Sequence, residues 1–125
     1  MKGIWRPRDP VGKIKAWRLV DEMAVEAFHL TNTFPENVLC RQIREIAACC
    51  GSCVAESTYY HGKMEHIDGL RRSQALMMQL RYLIYLARRL LLIDQKKYAR
   101  AIKKYEIASK ALQELVDLSE RKKEK

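Results

Sequence analysis

The chain has 125 residues, 24 of them Lys or Arg against 15 Asp or Glu, for a formal net charge of +9. That length suits one domain with one modest core, and only five Gly and three Pro leave few turns and favour helices. The longest apolar stretch, Leu90 to Ile93, is too short to span a bilayer; Met1 to Asp9 is polar with no apolar run after it, so no export signal is expected, and four Cys then point to free thiols in a reducing cytoplasm.

Residues 1–12, with Pro7, Pro10 and Gly12, read as a flexible N-terminal arm. A first helix is predicted over residues 13–31, because Ala16, Val20, Met23, Ala27 and Leu30 recur at helical spacing with Trp17 and Phe28 beside them. Pro35 stops that helix and suits the first turn of the next. Thr33 is the expected N-cap of the second helix, with Glu36 completing a capping box. That helix should reach Ser57, on a seam of Leu39, Ile43, Ile46, Cys50 and Cys53. After a polar connection over 57–62, a third helix is predicted over 63–93. His66, Leu70, Ser73, Met77, Leu80, Ile84, Ala87 and Leu91 alternate at spacings of four and three, the seam of a bundle. Asp94 can cap a fourth helix running to Glu120, with Tyr98, Ala101, Tyr105, Ala108, Leu112, Leu115 and Ser119 inward. The charged tail 121–125 should fray. Four helices on short connections imply an all-α, antiparallel up-down-up-down four-helix bundle over 13–120.

The charge is concentrated. Between Arg71 and Lys104 stand ten basic residues and one acid, Asp94, whereas the remainder holds 14 basic and 14 acidic residues and cancels. A local field of that sign suits a polyanion such as nucleic acid. On a helical wheel Arg71, Gln74, Met78, Arg81, Tyr82, Tyr85, Arg88 and Arg89 share one side of the third helix, and Lys96, Lys97, Arg100, Lys103 and Lys104 extend the surface onto the fourth. Arg forks match phosphate oxygens and Tyr rings stack on unpaired bases. The candidate nucleic-acid-binding residues are therefore Arg71, Arg81, Tyr82, Tyr85, Arg88, Arg89, Lys96, Lys97, Arg100, Lys103 and Lys104. Two other readings stay open. One is a solvated face. The other is a subunit interface, since Arg71, Gln74, Met78, Arg81, Tyr85 and Arg88 keep four-three spacing and Tyr, Met and Arg are enriched at interfaces.

Catalytic signals are sparse. Cys49, Cys50 and Cys53, followed by His61 and His66, supply soft ligands of the kind zinc takes, but the gap from Cys53 to His61 is short for a zinc module and two of the Cys lie on the apolar seam. Glu56 and His61 flank a loop without a nucleophile or a Gly-rich phosphate loop. No catalytic residue, metal or cofactor is assigned. His66 and Ser73 read as polar seam positions with local partners. Neither helix with a basic side has an apolar side left for lipid, so no membrane partner is expected.

Several motifs occur in a telling order: Trp17, then Thr31-Asn32-Thr33-Phe34-Pro35, Gln42-Ile43-Arg44, Cys53-Val54-Ala55-Glu56-Ser57, Leu80-Arg81-Tyr82 and Tyr98. Together they resemble the four-helix bundle family of proteins encoded in ribosomal-RNA intervening sequences, in which Asn and Gly usually stand at the positions of Cys53 and Ser57. That family is similar in fold to the accessory variability protein of diversity-generating retroelements, a basic homopentamer that binds nucleic acid and a reverse transcriptase. The resemblance implies a non-catalytic homo-oligomer, a pentamer by analogy, with nucleic acid and a reverse transcriptase as partners. The alternative is a structural protein-interaction bundle with no nucleic-acid role.

Overall fold

The apolar periodicities fold into four helices. The computed structural model describes residues 15–60 and 63–124, and its helices are α1 (Lys15–Thr31), α2 (Val38–Ser57), α3 (Met64–Arg89) and α4 (Gln95–Glu124), with a short 3-10 turn at Thr58–Tyr60. The N-terminal arm and the first two residues of the predicted first helix lie outside the described residues. No strand occurs among the described residues.

Each helix packs against its two neighbours in chain order, and α4 closes the square against α1. Side-chain pairs give the directions. Arg44, early in α2, donates to Thr31 Oγ1 at the end of α1, at 2.9 Å. Ser73 in α3 donates to the Cys50 carbonyl of α2 at 2.9 Å, and the start of α3 lies against the end of α2 through His66 and Ser57. Gln74 reaches Gln113 while Arg88 reaches Gln95, so α3 and α4 are antiparallel. Glu26, late in α1, meets Arg100 and Lys104, early in α4. One end of the bundle thus gathers the end of α1, the start of α2, the end of α3 and the start of α4.

The core is the set of seams. In α3, His66, Leu70, Ser73, Met77, Leu80, Ile84 and Ala87 are all buried; Val20, Met23, Ile43, Ala47, Ala101, Ala108 and Leu112 complete it. Burying a Leu or Ile side chain is worth about 1.5–3 kcal/mol. The two polar seam positions are matched. The Ser57 carbonyl can only accept, so His66 Nδ1 carries the proton in their 3.0 Å contact. In the neutral ring Nε2 then accepts from the Ser119 hydroxyl, 3.2 Å away. One side chain so ties α2, α3 and α4. Beside it α3 approaches α2 so closely that a Cβ on Gly69 would stand 2.8 Å from Ser57 Cβ.

Four expectations need correction. Thr33 does not cap α2: its hydroxyl donates back to the Leu30 carbonyl at 3.0 Å, while Phe34 turns into the core. Asn37 is the N-cap, its Oδ1 accepting from the Cys40 N–H at 2.8 Å, and Glu36 instead faces Arg41 and Arg44 at 3.9 and 3.8 Å. In α2, Ile46 is half-buried and Ala47 takes the inward position, because 3.6 residues per turn drifts from strict four-three spacing. α3 stops at Arg89, not at residue 93. The Leu92 N–H bonds the Ala87 carbonyl and the Leu91 N–H the Arg88 carbonyl, with Leu91 at φ 61°. That is a Schellman cap carrying Leu where Gly is usual, and it leaves Leu91 78% exposed rather than on the seam. α4 continues through the predicted tail to Glu124. Asp94 does cap it, accepting from the Lys97 N–H at 2.8 Å.

Candidate nucleic-acid interface

The tight α3–α4 turn brings two basic runs together. Arg81, Arg88 and Arg89 come from the last turns of α3, and Lys96, Lys97, Arg100, Lys103 and Lys104 from the first turns of α4. From Arg81 to Lys104 there are eight basic residues and one acid, Asp94, whose carboxylate is taken up in capping α4. The turn itself is braced by one of the cations: Arg88 donates to the Ile93 carbonyl and to Gln95 Oε1, each at 3.2 Å.

The other seven cations fall into three groups. Arg100 and Lys104 point toward α1 and meet Glu26, a carboxylate only 7% exposed, at 3.3 and 3.6 Å. Arg81 lies over the Tyr105 ring of α4 at 5.7 Å, and Arg89 over the Tyr85 ring at 6.0 Å. Lys96, Lys97 and Lys103 stand exposed, with no carboxylate paired to them among the described residues. Arg71 does not join the cluster. It belongs to the opposite end, where it pairs with Glu120 of α4.

The single side of α3 expected from the helical wheel divides into two flanks. Arg71, Gln74, Arg81 and Arg88 lean toward α4, as their partners Glu120, Gln113, Tyr105 and Gln95 show. Met78 and Tyr82 lean toward α2. There, with Gln42, Ile46, Gln79 and Leu83, they line an open groove of about 480 Å³. Tyr82 is 58% and Met78 69% exposed, and the Tyr82 and Tyr85 rings lie 6.4 Å apart at 41°. The sequence marks none of Gln42, Ile46 and Gln79 as a site residue: Ile46 falls on the expected apolar seam and Gln42 in the Gln42-Ile43-Arg44 motif, and an isolated Gln on a polar helix face carries no signal until a neighbouring helix supplies the opposite wall.

The thiols do not converge on a site. Cys40, Cys50 and Cys53 are buried and Cys49 is exposed, all free. Burial, reinforced by Cys53 and Cys49 nearby, pushes the Cys50 thiol up to about 12, and burial raises Cys53 as well. Among the described residues no three His, Cys, Asp or Glu side chains gather to hold a metal ion. Glu56 is exposed and borders a cavity of about 250 Å³ with Cys53, Tyr60, Glu65, Asp68 and Arg72; its expected companion His61 lies outside the described residues. No described helix is long and apolar enough to cross a membrane.

A family model described as 23S rRNA-intervening sequence protein matches residues 12–114, taking in α1, α2, α3 and much of α4. No curated protein matches the chain. Of the two departures from the family's usual residues, Cys53 is buried and Ser57 packs against Gly69 while its hydroxyl donates to the Val54 carbonyl at 2.7 Å, so both serve the α2–α3 contact.

Proposed function

The chain belongs to the 23S rRNA-intervening sequence protein family, and on that premise we propose that it is a non-enzymatic, oligomeric cytoplasmic protein that holds nucleic acid on the basic end formed by α3 and α4. The observation that carries this reading is the imbalance at that end: eight cations from Arg81 to Lys104, of which only Arg100 and Lys104 pair with a carboxylate among the described residues. Cations left to solvent at high density attract phosphate, and their release of counterions makes binding steeply salt-dependent. The resemblance to the retroelement accessory protein extends the proposal to a ring of subunits, five by analogy, and to a reverse transcriptase as a partner. Each added subunit would repeat the basic end around the ring.

The test is titration of RNA and DNA oligonucleotides at several salt concentrations, with a Lys96→Gln, Lys97→Gln, Lys103→Gln variant. These three side chains are exposed, so folding is unaffected. Loss of three phosphate contacts lowers the salt slope by about 2–3 and the affinity by on the order of 10–100-fold at low salt. Equal affinity and slope for variant and parent would remove the basic end from function. A second reading, a protein-interaction bundle, is favoured by the exposed apolar residues Met78, Leu90 and Leu91. A stable oligomer that binds neither RNA nor DNA would establish that reading instead.

A further inference from the structure

Beside the basic end lies a surface that phosphate contacts leave unexplained. Tyr82 and Tyr85, one turn apart on α3, both expose their rings, and neither hydroxyl has a hydrogen-bond partner among the described residues. Two adjacent aromatic rings and Met78 are held out into water together, and Tyr82 and Met78 line a groove, so they form a contiguous patch and not scattered surface residues. The groove that Tyr82 and Met78 line, with Tyr85 one turn further along α3, has a volume in the range of about 300–1,000 Å³ typical of small-molecule sites. Its apolar wall is Ile46, Met78 and Leu83, and its polar rim is two carboxamides, Gln42 and Gln79. A carboxamide offers a donor and an acceptor side by side, the complement of a base edge. Arg89 lies over the Tyr85 ring at 6.0 Å and so places a cation one ring away from the groove-lining Tyr82.

A flat apolar face, a donor-acceptor rim and an adjacent cation are the three elements that hold an unpaired nucleotide: stacking for the base, hydrogen bonds for its edge, charge for its phosphate. A duplex presents the same phosphates but keeps its base faces stacked internally, so it can use the cations and not the rings. Resting on the nucleic-acid reading above, we infer that this protein selects single-stranded over duplex nucleic acid, with Tyr82 stacking an unpaired base at the α2–α3 groove and Tyr85 offering a second ring beside it, while the α3–α4 cations hold the backbone. The division of labour follows the division of the α3 surface. The flank toward α4 serves affinity without discrimination, and the flank toward α2 discriminates strand state.

The experiment compares the full-length parent with Tyr82→Ala, Tyr82→Phe and the Lys96→Gln, Lys97→Gln, Lys103→Gln variant. The probes are oligouridylate and oligothymidylate of about 12 nucleotides, whose bases stack weakly on one another, and RNA and DNA duplexes of equal length. Tyr82→Ala lowers affinity for both single strands by on the order of tenfold and leaves duplex affinity unchanged; Tyr82→Phe, which keeps the ring, binds as the parent does. The triple Gln variant lowers affinity for single strand and duplex alike. Parent protein that binds neither form would overturn the general reading and this one with it. Parent protein that binds nucleic acid, with Tyr82→Ala losing nothing or losing equally from single strand and duplex, overturns this inference alone. Light scattering on the same samples covers the remaining occupant: a change in subunit number on Tyr82→Ala, with strand selectivity intact, assigns the groove to a subunit contact and also overturns it.

Discussion

The two ends of the bundle use the same residue types for opposite purposes. At the end holding the α3–α4 turn, over residues 26–44 and 81–104, cations outnumber acids ten to three, and three lysines stand unpaired among the described residues. At the other end, over residues 15–25, 45–72 and 105–121, acids outnumber cations ten to seven. There polar groups are turned inward or onto each other: His66 ties Ser57 to Ser119, Ser73 donates to Cys50, and Arg71 pairs with Glu120. The backbone follows the same division. The inward end demands glycine at position 69 for helix contact, while the basic end tolerates Leu91 in a left-handed conformation that glycine would adopt more readily. One end is organised for cohesion and the other leaves its polar capacity unspent.

The largest expected effect comes from neutralising charge at one end and then at the other. Neutralising three cations of the cohesive end, Lys63→Gln, Arg72→Gln and Arg121→Gln, leaves oligonucleotide affinity within about twofold of the parent, against the on the order of 10–100-fold loss expected for the three lysines of α4. Equal losses from the two triple variants would show that total charge, not its placement, governs binding. A smaller contrast lies in the backbone. Gly69→Ala forces Ser57 and the α2 terminus away and lowers stability by about 1–3 kcal/mol in a urea melt. Leu91→Gly relieves a left-handed residue and raises stability by about 1 kcal/mol. Destabilisation by both would mean that the Leu91 side chain makes contacts that outweigh its backbone cost.

The smallest effect at neutral pH belongs to the thiols, and it tests burial directly. Cys50 titrates near 12 in the folded chain against about 9 for an ordinary thiol, so the native state holds its proton over a window in which the unfolded state has lost it. Cys50 therefore contributes full stability below pH 9, and that contribution declines as pH rises toward 12. Cys50→Ala removes this part of the alkaline decline, measured by denaturant melts across that range. Alkylation at pH 8 modifies exposed Cys49 first; early labelling of Cys50 would contradict its burial.

The fold was legible because its signals are local. Seven of the eight α3 seam positions named from spacing alone are buried, and the two polar ones, His66 and Ser73, are hydrogen-bonded, though to α2 and α4 and not to local partners. Leu91 misled because the apolar run Leu90 to Ile93 continues the periodicity past the point where the backbone turns. Thr33 and Glu36 misled because a capping pattern competes with Asn37, a stronger cap one residue beyond. The candidate site was legible as a density of charge and not as an arrangement. Nothing in the sequence indicates that Glu26, some 74 residues before Arg100, meets it, or that Arg71 finds Glu120. Both pairings depend on how helices are set against each other, and a charged residue carries no periodic mark of its partner.

The His66 tie has a further consequence for the far end. A helix in a bundle can slide along its neighbour in steps of one turn, about 5.4 Å, and an apolar seam of repeating spacing resists such a step weakly. Sliding α3 would strip His66 of both the Ser57 carbonyl and the Ser119 hydroxyl, leaving buried polar atoms unsatisfied at about 1–3 kcal/mol each. The ring therefore acts as a longitudinal stop. Through the stiffness of α3 it sets how far Tyr82, Arg88 and Arg89 stand above the opposing walls of α2 and α4, so the spacing of the basic end is metered from the opposite pole of the molecule.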